Sequence, residues 1–120
     1  RSRSNTPVQA LALMNDVQYI EAARAVAERI MQHGGSTTQE RITYAGLLTF
    51  GRPPTSVESS ALLQQFNDQL SDYRATPEAA LALLQTGESR YRTELDAAEL
   101  AAWALVANAL MNTDAAVSQF

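Results

Sequence analysis

Apolar residues recur along this chain at spacings of three and four, interrupted by capping residues, glycine and proline, and the pattern predicts helices from end to end. Sustained period-two alternation and Asn-Gly or Asp-Gly hairpin turns are missing from the sequence. Thr6, with Pro7 in the first helical position and Gln9 three residues on, marks the start of a helix running to about Met14. After the capping pair Asn15-Asp16, the residues Val17, Ile20, Ala23, Ala27, Ile30 and Met31 form the apolar stripe of a second helix, which ends at His33 and Gly34-Gly35. Its outer face carries Glu21, Arg24 and Glu28, spaced for weak pairing along a solvated surface.

Ser36 and Gln39 repeat the capping signature ahead of a third helix with Ile42, Tyr44, Ala45, Leu47 and Leu48 as its apolar positions and Gly51 as its stop. Arg52-Pro53-Pro54 forces an extended link, and Thr55 with Glu58 forms the next capping box. Val57, Leu62, Leu63, Phe66, Leu70 and Tyr73 are then assigned to one face of a fourth helix, read as the most clearly amphipathic of the set. Thr76-Pro77 opens a short helix through Leu81, Leu83 and Leu84 that Gly87 ends, and Glu88 to Leu95 reads either as irregular or as a first turn of the last helix. Asp96 and Glu99 cap that last helix, with Leu95 as a staple and Leu100, Trp103, Ala104, Ala107, Leu110 and Met111 as its buried stripe; Asn112 to Phe120 is expected to fray or form a short terminal turn. The fold class is therefore all-α, an irregular bundle of five or six mostly antiparallel helices in a single domain over residues 1–120.

Composition narrows the functions open to such a bundle. The chain has no Cys, so it offers no disulfide, thiolate nucleophile, zinc ribbon or haem-attachment motif. A net charge of −4 argues against a nucleic-acid surface, and no apolar run approaches the ~20 residues of a membrane span. Of the nine basic residues, all Arg, only Arg1, Arg3, Arg90 and Arg92 stand close together in pairs, and they read as solvated. The Gly-Arg-Pro-Pro link superficially suggests a helix-turn-helix, but Glu58, Ser59 and Ser60 lead its second helix where a DNA reader needs basic or amide residues.

Candidate chemistry is sparse. His33, the single histidine, stands at a helix C-terminus and reads as a cap or surface residue. Glu94, Asp96 and Glu99 could supply an acid and a base, yet Asp96 and Glu99 are already explained by the preference of helix starts for acidic residues. Tyr19, Tyr44, Tyr73 and Tyr91 form no stacking row. No catalytic, cofactor-binding or metal-ligating residue is assigned. Three residues are structural candidates: Arg52, which can reach the carboxylate of Glu58 or the carbonyls ending the third helix; Glu58 itself; and Trp103, placed in the core.

Ser4–Asp16, Glu21–Arg29, Gly51–Thr55, Ala102–Val106 and Leu110–Asn112 are similar, in consistent order, to motifs of a known family. The chain resembles the C-terminal part of the planctomycete-type conserved domain of unknown function, found in large secreted proteins that often carry a cytochrome c-like haem segment near their N-terminus. It departs from that pattern where relatives place an acidic residue and Phe, since Asp114 is followed here by Ala115 and Ala116. The resemblance implies a fragment of a larger extracytoplasmic protein, periplasmic or secreted, with any haem held elsewhere and no cofactor in this segment. The expected partner is the remainder of the parent or another protein. A non-catalytic structural or interaction module is the leading expectation; the alternative is a segment that completes the active site of an extracytoplasmic enzyme, possibly one acting on polysaccharide.

Overall fold

A computed structural model of the chain describes residues 17–87 and 90–118, and these form five helices with no strand among them. They are α1 (Val17–His33), α2 (Thr38–Phe50), α3 (Ser56–Ala75), α4 (Pro77–Leu84) and α5 (Ala97–Ser118). The all-α expectation holds, and the helix expected at Thr6–Met14 lies outside the described residues.

α1 buries Ile20, Ala23, Ala27 and Ile30, four positions of the stripe read from the sequence. Apolar and polar faces separate most sharply in this helix, not in α3 as the apolar spacing suggests. Beyond its C-terminus the amide of Gly34 donates to Ile30 O at 2.9 Å. Arg41 of α2 closes the same end, donating to Met31 O at 3.2 Å and to Gly35 O at 3.1 Å. A cation that satisfies terminal carbonyls also sits favourably in the field of the helix dipole.

The cap of α2 is shifted by one residue from the expected Ser36 and Gln39. Thr37 is the N-cap, its hydroxyl accepting from the amide of Glu40 at 3.1 Å. The Glu40 carboxylate accepts in return from the amides of Ser36 at 2.9 Å and Thr37 at 3.1 Å. Ser36 and Thr37 are both competent caps, so the register is set by the residue three positions on, and a carboxylate closes the box with a stronger charge-assisted bond than the Gln39 amide would. At the far end Gly51 adopts φ +79° and donates to Leu47 O at 3.1 Å, the expected left-handed stop. Gly46 lies inside α2 against the ring of Pro54, which stands 2.5 Å from where a Cβ would be, so a residue without a side chain lets the Pro-Pro link fold back onto the helix.

Two apolar assignments fail on helical geometry. Leu47 is 47% exposed and Val57 is 78% exposed. At about 100° per residue, Leu47 is turned about 140° from the buried Ile42, and Val57 about 180° from the buried Phe66. Leu62 and Phe66, four apart, do point inward, with Leu63, Leu70 and Tyr73 partly buried beside them. In α4, Ala80 and Leu84 are buried, Leu83 packs partly against the core, and Leu81 remains 38% exposed.

α5 is the centre of the bundle, and each of the other four helices packs on it, α1 most extensively. Its residues from Leu100 to Ala107 are buried on every side, not along one stripe as expected. A helix apolar all round belongs inside a core, and the alanines at 101, 102, 104 and 107 let neighbouring backbones come close. Trp103 is fully buried and stacks on Phe66 with ring centroids 4.1 Å apart. The helix also runs on through Ser118, past Asn112, where fraying or a short terminal turn is expected from the sequence.

Candidate functional site

Polar side chains gather in three places. The first is the corner between α2 and α3, where the candidates Arg52 and Glu58 meet. Arg52 donates to both carboxylate oxygens of Glu58, at 2.9 and 3.0 Å, and to Pro53 O at 3.1 Å, while its guanidinium lies 4.9 Å from the centre of the Phe50 ring. Glu58 also accepts from the Thr55 amide at 2.8 Å, and the Thr55 hydroxyl accepts from the Glu58 amide at 3.1 Å, as the predicted capping box requires. The Arg52 bonds, then the Thr55 amide, lower the Glu58 carboxyl from 4.5 to about 2. The same pairing raises Arg52. Glu58 is therefore a fixed anion at neutral pH, unsuited to carrying a proton in general acid catalysis.

The second place is the start of α5. The amide of Glu99 donates to Asp96 Oδ2 at 2.9 Å, as the cap read from the sequence requires. Arg74, from the last turn of α3, approaches Asp96 and Glu99 at 3.5 Å each, and Arg41 approaches Glu99 at 3.6 Å. Asp96 and Glu99 thus share Arg74 of α3, Glu99 also meets Arg41 of α2, and Glu94 pairs with Arg92 at 3.5 Å. Beside this network lies an open cavity of about 270 Å³, floored by Pro77, Ala80, Leu81, Ala97 and Ala98 and edged by Tyr73, Arg74 and Asp96. Burial, and then the neighbouring Asp72 carboxylate, push the Tyr73 phenol upward, so its proton stays on.

The third place corrects an expectation from the sequence. Glu21, Arg24 and Glu28 do not form a solvated face of α1; the described parts of the connection between α4 and α5, residues 85–87 and 90–96, meet them through Thr86, Gly87 and Arg92. Arg24 is only 3% exposed and donates to Leu84 O at 2.6 Å and Thr86 O at 3.3 Å, closing the C-terminus of α4. Glu28 accepts from the amide of Arg92 at 2.8 Å. Gly87 has φ +94° and passes so close to the Glu21 carboxylate that a Cβ there would collide with it. Between Arg90 and Asp96 the connection is a turn with no helix, which settles the irregular alternative for that stretch.

A family model described as PSD1, protein of unknown function (DUF1553), matches residues 1–66. The chain belongs to this family. No curated protein and no solved structure matches it. The PSD1 match takes in α1, α2, the Arg52–Glu58 corner and α3 as far as Phe66. The stacking partner of Phe66, Trp103, and the carbonyls that hold Arg24 all stand beyond it. In this member, then, the matched part packs its core against α5, which lies outside the match.

The remaining candidates are dispersed. His33 is exposed at the end of α1, and Arg90 and Arg92 are exposed in the connection, while Arg1 and Arg3 lie outside the described residues. Tyr44, Tyr73 and Tyr91 lean separately on the core, and the side chain of Tyr19 lies outside the described ones. Among the described residues, no group of three or more His, Cys, Asp or Glu is placed to hold a metal ion, and no helix is long and apolar enough to cross a membrane. Sequence reasoning gave no role to Arg41 or Arg74 and placed Arg24 on the surface. The signal that could have raised Arg41 and Arg74 is positional, since Arg41 stands shortly after a helix end marked by two glycines and Arg74 occupies the last turn of α3.

Proposed function

We propose that this PSD1-family chain is a non-catalytic packing module of a larger extracytoplasmic protein, in which it docks against the rest of the parent or another protein. One observation carries the reading: the charged groups best suited to chemistry are engaged in joining elements of the fold. Arg24 holds the end of α4, Arg41 the end of α1, Arg52 and Glu58 the corner, and Arg74 with Asp96 and Glu99 the start of α5. Meanwhile Leu47, Val57 and Leu81 are left exposed. The extracytoplasmic setting rests on the family resemblance. The second reading, completion of an active site acting on polysaccharide, draws on the cavity edged by Arg74 and Asp96.

Light scattering on the 120-residue chain over a range of concentrations, paired with a thermal melt monitored by circular dichroism, tests the proposal. The expected result is concentration-dependent association that the combined variant Leu47→Ser, Val57→Ser and Leu81→Ser abolishes without lowering the melting temperature. A chain that stays monomeric at high concentration, with or without the substitutions, would remove the support for a docking module.

A further inference from the structure

We draw no further inference here: the strongest candidate, the open apolar cavity between the α3–α4 junction and the first turn of α5, is edged by Arg74 and Asp96 that already pair with each other, and nothing in the structure shows what covers it.

Discussion

The corner between α2 and α3 and the connection that crosses α1 each turn on one arginine, and they differ in how far along the chain that arginine reaches. Arg52 finds Glu58 six positions away, half exposed to solvent; Arg24 finds Leu84 sixty positions away, under the surface. The first contact is nearly complete as soon as the local sequence takes up its caps. The second exists only once α1, α4 and α5 have assembled, and it removes a guanidinium from water. Desolvated charge-assisted bonds lose far more when one partner is deleted than exposed pairs do, so the less legible of the two arginines should matter more for stability.

The largest effect is expected where long-range packing is densest. Trp103→Ala empties the space between α5 and Phe66 and should destabilise the fold by about 3–5 kcal/mol, enough to unfold a marginal domain. Chemical denaturation of the wild type and of Trp103→Phe, which keeps an aromatic ring in place, brackets the effect. A loss under about 1 kcal/mol for the alanine variant would mean that the core does not close on this residue.

Arg24→Met keeps much of the apolar stem and strips the hydrogen bonds to Leu84 O and Thr86 O, leaving these carbonyls without this donor at a cost of about 1–3 kcal/mol. A solvated surface arginine would cost a few tenths of that, roughly, so the denaturation midpoint distinguishes the two placements. Amide hydrogen exchange should also speed up between Gln85 and Leu95, because that connection loses its anchor on α1. Unchanged exchange there would contradict the role assigned to Arg24.

A smaller effect of opposite sign is expected in α5. Asn108 is fully buried, and neither its side-chain amide nitrogen nor its carbonyl oxygen has a hydrogen-bond partner among the described residues. Leu has a similar size and does not leave polar atoms unmatched, so Asn108→Leu should stabilise the chain by about 1 kcal/mol in the same denaturation assay. If the variant is destabilised instead, Asn108 has a polar partner that the described residues do not reveal.

Legibility in the sequence divides along the same line between near and far. The capping box at Thr55 and Glu58, the cap at Asp96, the stop at Gly51 and the Arg52–Glu58 pair depend on residues within a few positions of one another and are legible, whereas α4 ends at Leu84 with Gln85 as its C-cap, ahead of the stop expected at Gly87. The cap of α2 slipped by one because two hydroxyl residues stand side by side and only the stronger acceptor, Glu40, decides between them. Leu47 and Val57 have apolar side chains at helical spacing, but their angle around the helix turns them toward solvent. The burial of Arg24 had no local signature: its spacing to Glu21 and Glu28 is that of an ordinary exposed face, and the carbonyls that claim it come from α4 and the turn after it. The surrounding of α5 on all sides was half visible, since its run of alanines between Leu100 and Leu110 is apolar in every direction, but a stripe satisfied the same residues.

The smallest effect should come from the corner, where pH supplies the sharper test. The folded chain holds Glu58 at about 2, below its ordinary 4.5, so the pairing contributes stability above the unfolded value and loses it as pH falls from 4.5 toward 2. Arg52→Ala should lower the melting temperature at neutral pH by no more than a few degrees, because both partners are substantially exposed and screened. It should also reduce the acid-dependent fall without abolishing it, since the Thr55 amide still favours the ionised Glu58 and the amides of Thr37 and Ser36 likewise lower Glu40. The deficit of the variant should therefore shrink as the solution is acidified and Glu58 takes up its proton. A deficit that stays constant down to pH 2 would place the contribution of Arg52 in its contacts with the Phe50 ring and Pro53 O rather than in the ion pair, and would leave the local corner as dependent on packing as the crossing at Arg24.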